Sequence, residues 1–109
     1  MKKIDIIKEA KDFDYIINHS PKKRNKYFSI FYLSNKEKNH YGISVPKKLG
    51  IAVIRNKKKR QIKNIIDKNK KILPKYYDYV IILKKELLEL TYLEMEENLL
   101  SLFKQIKEN

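Results

Sequence analysis

Between Pro46 and Lys71 the chain carries one acidic residue, Asp67, against a run of cations that includes Arg55-Asn56-Lys57-Lys58-Lys59-Arg60-Gln61-Ile62-Lys63. Such a segment cannot be buried on all sides, so it must lie at the periphery of whatever fold it joins. Read as a helix from about Ile51, it places Ile51, Ile54, Ile62, Ile65 and Ile66 on one stripe at the 3.6-residue period. Asn56, Lys59, Arg60 and Lys63 then share an exposed face, and Lys57 also points away from the stripe. One side packs; the other presents ammonium and guanidinium groups in a fixed row. The ordinary reading of a charge run is a solvated face, and this chain is Lys-rich throughout. Clustering favours a polyanion, because the C-terminal third interleaves its charges and this segment does not.

Lys and Arg number 26 against 13 Asp and Glu, a net charge of +13 whose field concentrates polyanions at the surface. RNA, DNA or an acidic membrane surface are the partners such a field admits. With 109 residues there is room for one core, so residues 1–109 are expected to form a single domain. A hydrophobic content of 42% is enough to fold rather than stay disordered. The absence of cysteine excludes disulfides and thiolate nucleophiles or metal ligands. No apolar run is long enough to span a bilayer, and Met1-Lys2-Lys3-Ile4-Asp5 lacks the apolar core of a signal peptide, so a cytoplasmic protein without a membrane partner is expected.

Along the chain, Ile4 to Asn18 read as a first helix that Ser20-Pro21 breaks. Lys22-Lys23-Arg24-Asn25-Lys26 is a basic connector or strand edge. The aromatic and β-branched run Tyr27 to Leu33 predicts a strand, and His40 to Val45 returns as the second arm of a hairpin. After the basic helix, Tyr77 to Leu83 is the most apolar strand, and Lys84 to Leu90 a loop or short turn. Thr91 and Glu94 fit a capping box opening a last helix with core positions Tyr92, Met95, Leu99, Leu102, Phe103 and Ile106. The order α-β-β-α-β-α predicts an α+β fold with helices packed on a mixed sheet.

Catalytic groups are scarce. His19 and His40 have no companion at a metal-ligand or nucleophile spacing, and each reads most simply as a surface residue. Glu94, Glu96 and Glu97, like Asp5, Glu9 and Asp12, fit solvated helix faces. The two glycines, Gly42 and Gly50, make no phosphate-cradling loop. The aromatic residues carry more. Phe13 on the first helix and one alternating set from the first strand, Tyr27 with Phe31 or Phe28 with Tyr32, can line an open sheet face beside the basic helix. Core packing is the ordinary role of any one such ring, but rings beside cations are also how single-stranded RNA is held.

Gly42-Ile43-Ser44-Val45-Pro46-Lys47-Lys48-Leu49-Gly50, followed by Ala52-Val53-Ile54-Arg55-Asn56-Lys57-Lys58-Lys59-Arg60 and Lys63, resembles the hallmark of the bacterial ribonuclease P protein family. The likeness extends to Asp12-Phe13, the Asn25-to-Tyr32 segment, Tyr79 to Leu83, and Thr91-Tyr92 with Glu94. The resemblance implies an α-β sandwich related to a ribosomal protein domain, with a left-handed βαβ crossover through the basic helix. Parallel crossovers are otherwise right-handed, so strand order alone does not foretell that feature.

The implied function is assistance to a catalytic RNA that removes the 5′ leader of precursor tRNA by Mg²⁺-dependent hydrolysis. The RNA subunit holds the reactive ions, and no catalytic residue or protein partner is expected here. By position, the resemblance assigns RNA contacts to Arg55, Asn56, Lys57, Lys59, Arg60 and Lys63. It assigns the leader cleft to Phe13, Ile17 and Phe31, with Lys47 and Lys48 at its basic edge. The chain departs from the family pattern with Lys57 and Lys63 in place of Arg, Lys58 in place of an apolar residue, Ile17 in place of an aromatic, Ile51 in place of Asn and Ser20 in place of Gly. A ribosomal protein or assembly factor of related fold, a stand-alone ribonuclease and a DNA-binding protein are the competing readings.

Overall fold

A computed structural model describes residues 5–108. Its sheet is built around β4 (Tyr77–Leu83), which is apolar on both faces and therefore needs cover above and below. The strand order is β1-β2-β4-β3, with β1 at Lys22–Arg24, β2 at Phe28–Ser34 and β3 at His40–Ser44. β1–β2 and β2–β4 are antiparallel, while β3–β4 is parallel. Among the described residues three α-helices complete the fold: α1 (Ala10–His19), α2 (Ala52–Asn69) and α3 (Tyr92–Phe103). The fold is thus α+β with a mixed sheet, and β3–α2–β4 is a βαβ crossover between neighbouring strands.

The two sheet faces have different jobs. Phe28, Ile30, Tyr41, Ile43, Tyr79, Ile81 and Leu83 face α2 and α3, and join Ile62, Ile65, Ile66, Met95, Leu99, Leu102 and Phe103 in one buried core. Tyr79 anchors it: its ring meets Phe103 edge-on with centroids 5.0 Å apart and stacks on Tyr41 at 5.6 Å. Its hydroxyl donates to the Pro74 carbonyl at 2.6 Å, which satisfies an otherwise buried polar group. The other face, carrying Gly42, Val80 and Phe31 in one row, lies under α1.

Three expectations are corrected. The first helix begins at Ala10 rather than near Ile4, which lies outside the described residues. Ile6 bridges Tyr41 in parallel and the Ile7 amide donates to the Tyr41 carbonyl at 2.9 Å, so pairing with the β3 edge outcompetes helix there. Second, β2 and β3 do not form a hairpin, because β4 lies between them. The connecting loop instead crosses the entry of β4. Asn35 donates to Asp78 Oδ1 at 2.8 Å, while Asn39 donates to the Pro74 carbonyl at 2.9 Å and accepts the Tyr77 amide at 3.0 Å. Third, Ile51 and Ile54 are exposed, and only Ile62, Ile65 and Ile66 of the α2 stripe are buried. Leu49, in a 3₁₀ turn at Lys47–Leu49, is buried in the core just before Ile51 and Ile54.

The last helix is as expected. Thr91 Oγ1 accepts the Glu94 amide at 3.2 Å and Glu94 Oε1 accepts the Thr91 amide at 2.9 Å, closing the capping box.

Candidate nucleic-acid interface

The turn at Lys47–Leu49 buries Leu49 and leaves Lys47 and Lys48 exposed. Gly50 follows with φ +134°, a backbone region that side chains rarely adopt. Arg55 then folds back, its Nε donating to the Gly50 carbonyl at 3.1 Å, which fixes the guanidinium against the start of α2. Asn56, Lys57, Lys59 and Arg60 are exposed along the helix, and Lys63 is half-exposed. Lys58 continues the apolar stripe half-buried; burial, and then its neighbour Lys57, hold its ammonium below the ordinary lysine range. The α2 N-terminus has no side-chain cap and no acid in its first turn, so the helix dipole adds positive potential there.

Lys47, Lys48, Arg55, Lys57, Lys58, Lys59, Arg60 and Lys63 make no ion pair with any described carboxylate. Pairing is concentrated beyond them. Lys68 meets Glu96 at 3.1 Å, Lys70 meets Asp67 at 3.1 Å and Asp5 at 3.8 Å, and Lys38 meets Asp5 at 2.8 Å. The first three turns of α2 therefore hold like charges side by side, a repulsion that a polyanion relieves.

Phe13 of α1 sits directly on β3: a Cβ added to Gly42 would stand 2.6 Å from Phe13 Cζ. Beside this contact opens a hollow of about 570 Å³ lined by Ile6, Ile7, Lys8, Phe13, Tyr41, Ile43, Lys59 and Lys63. A shallower one of about 400 Å³ brings Phe13 and Ile17 together with Ile43 and Ser44. Phe13 thus meets Lys59 and Lys63, distant in sequence, across one hollow with a cationic wall, and it borders the neighbouring hollow together with Ile17. Phe31 stands apart from both hollows, two strands from Gly42 in the same row, with Lys22 Nζ 5.6 Å from its ring centroid.

The register adds residues that the sequence reading passed over. Lys22 pairs with Phe31 and Arg24 with Ser29, which turns both cations to the α1 side of the sheet. Lys84, at the end of β4, donates to the Asn25 carbonyl at 2.6 Å. Burial, and then the nearby Arg24, Lys22 and Lys48, hold it below the ordinary lysine range despite the opposing Glu86. The only signal for this cluster was the period-two spacing of Lys22 and Arg24, which carries no meaning until β1 is known to be a strand.

A sequence model of the family described as Ribonuclease P matches residues 1–107. The chain belongs to the ribonuclease P protein family. It is 43% identical over 109 residues to the ribonuclease P protein component of Mycoplasma capricolum, covering 98% of this chain and 100% of that one. It is equally identical to the component from Streptococcus pneumoniae, covering 98% of this chain and 88% of that one. Among solved structures, the RNase P protein from Thermotoga maritima superimposes with a TM-score of 0.87 at 32% identity, covering 93% of this chain and 96% of that one. The Staphylococcus aureus RNase P protein gives 0.85 at 31% identity, covering 93% and 94%. The ribonuclease P match spans both α1 and α2, so the cleft and the basic helix both lie inside it.

Outside this region the two histidines make local contacts. His19 stacks on Tyr15 with centroids 4.1 Å apart. His40 is half-buried rather than a plain surface residue: its Nδ1 lies 2.8 Å from Asp78 Oδ1, beside the Asn35 amide. Among the described residues, no group of three or more His, Asp or Glu side chains converges to hold a metal ion.

Proposed function

We propose that this chain is the protein subunit of a ribonuclease P ribonucleoprotein, binding its catalytic RNA and the 5′ leader of precursor tRNA. The observation that carries this is the set of unpaired cations on α2 and the turn before it, adjoining an apolar cleft. Arg55, Asn56, Lys57, Arg60 and the exposed Lys47 and Lys48 contact the catalytic RNA. Lys59 and Lys63 stand on both sides of the division, on the RNA-facing helix and in the cleft wall. The leader runs past Phe13, Ile17 and Phe31. Apolar and stacking contacts tolerate many leader sequences, and the cations offset repulsion between leader and RNA subunit. Mg²⁺ held by the RNA would supply the hydrolytic chemistry; the chain's own residues bind and orient. The site of action is the cytoplasm.

The test is reconstitution of the protein with a bacterial ribonuclease P RNA and a precursor tRNA at low Mg²⁺ and moderate salt. Leader removal that needs both components supports the reading. Cleavage by the protein alone would make it a nuclease in its own right. Binding to ribosomal RNA, with no stimulation of the catalytic RNA, would make it a ribosomal or assembly protein.

A further inference from the structure

The first turn of α2 carries apolar side chains that the fold leaves uncovered. Ile51 is 68% exposed, Val53 73% and Ile54 40%. They cannot be explained as core, because the same helix buries Ile62, Ile65 and Ile66 to 1% or less. Ile54 leans over Gly50, with its side chain 3.5–3.7 Å from where a Gly50 Cβ would lie, and Arg55 is bound to the Gly50 carbonyl, so the turn is a built surface. Val53 stands one turn before Asn56 and Lys57, on the face that continues to Arg60. An apolar knob is therefore continuous with a row of unpaired cations.

We propose that this knob docks the faces of unpaired nucleotides in the catalytic RNA, while the cations beside it take the flanking phosphates. The inference rests on the ribonucleoprotein reading above and names the chemistry of the contact. Charge selects the occupant. A second copy of this chain would set Lys47, Lys48, Arg55 and Lys57 against their own counterparts, and a base-paired helix keeps its base faces stacked inside; an acidic lipid surface takes up a long apolar helix face, whereas here the apolar side chains are confined to one helix end and the rest of the stripe is core. Unpaired nucleotides present phosphate and an apolar ring face within one repeat, which is the pairing of surfaces found here.

The experiment uses the full chain with the double substitution Ile51→Ser and Val53→Thr. Ser is a favoured residue at the N-cap position that Ile51 occupies, and Thr keeps the β-branched shape of Val at an exposed site where its hydroxyl meets water, so the helix is retained. The dissociation constant for a bacterial ribonuclease P RNA is measured over a salt series, with thermal melting and sedimentation of the free proteins. The expected result is a roughly tenfold weaker complex, the order of one base contact, with an unchanged slope of log affinity against log salt. Melting is unchanged or raised, both proteins sediment as monomers, and chemical probing shows one or more unpaired nucleotides losing protection. Lys57→Ala, by contrast, lowers the salt slope by roughly one phosphate's worth.

An unchanged dissociation constant for the variant, beside a wild-type protein that does bind, overturns the proposal and leaves the ribonucleoprotein reading standing. A wild-type dimer that the substitutions dissociate assigns the knob to self-association. A fall in melting temperature assigns it to the protein's own fold. A wild-type chain that does not bind the RNA removes both readings.

Discussion

A Cβ at Gly42 would fall 2.6 Å from Phe13 Cζ and 2.9 Å from Cε1, distances at which something must move. Gly42→Ala therefore displaces the ring that floors the cleft. The expected cost is about 1–3 kcal/mol of stability, from overpacking, read by urea denaturation. Binding of a leader-length single-stranded RNA should weaken in the same variant. Phe31 offers the complementary case. It is half-exposed beneath Lys22, so Phe31→Ala should weaken binding of precursor tRNA more than of mature tRNA. Equal losses for the two substrates, compared by filter binding, would make Phe31 a packing residue only.

Within α2, one helix divides its labour along its length. Arg60 is exposed and unpaired, whereas Ile66 is 1% exposed in the core. Arg60→Ala should weaken binding to the catalytic RNA and reduce the salt dependence, with a melting temperature close to that of the parent. Ile66→Ala should do the reverse, costing about 2–5 kcal/mol of stability through the cavity it leaves. The C-terminal end of α2 is tied to α3 by Glu96, which accepts from Asn69 at 2.9 Å and pairs with Lys68 at 3.1 Å. Those two contacts, Asn69 first, hold the Glu96 carboxyl below its ordinary range, and Glu96 holds Lys68 above its own. The carboxylate's contribution is present above the unfolded-state value near pH 4.3 and lost as pH falls through the depressed folded value. The lysine's contribution is lost only as pH rises through its raised value. Glu96→Gln should accordingly lower the melting temperature most at neutral pH, where the carboxylate's contribution is present, and converge with the parent as pH falls from about 5 to 3, which flattens the acid limb of the profile.

The arrangement of the strands depends on a polar loop. Asn35 and Asn39 tie the β2–β3 connection to Pro74, Tyr77 and Asp78 at the entry of β4, and Asn39 also reaches the Tyr41 hydroxyl at 3.2 Å. This is what lets β4 enter between strands that are neighbours in sequence. Asn39→Ala should cost about 1–3 kcal/mol, because it strands the Tyr77 amide and removes two further bonds, and calorimetry of the free protein would measure it.

Local pattern was sufficient where an element's own residues settle its state: β4 over Tyr77–Leu83, the Thr91–Glu94 capping box, and the basic character of α2 all stand in the structure as the residues imply. Periodicity and capping are short-range physics, and family membership followed from motifs of the same kind. The site itself was partly legible, with Arg55, Asn56, Lys57, Lys59 and Arg60 readable as one cationic helix from their spacing alone. The rest depended on partners far away in sequence. An aromatic, β-branched run such as Phe28–Leu33 does not say which strand it will pair with, so the hairpin gave way to a central β4. The α2 stripe does not say how far the sheet extends beneath it, so Ile51 and Ile54 emerged into solvent. Lys22, Arg24, Lys48 and Lys84 share a region only because register and crossover carry them there, and Phe13 meets Lys59 and Lys63 for the same reason. Sequence determined the family, most of the elements and the charge of α2; pairing register and helix docking, which are long-range contacts, decided the cleft and the exposed apolar turn at the start of α2.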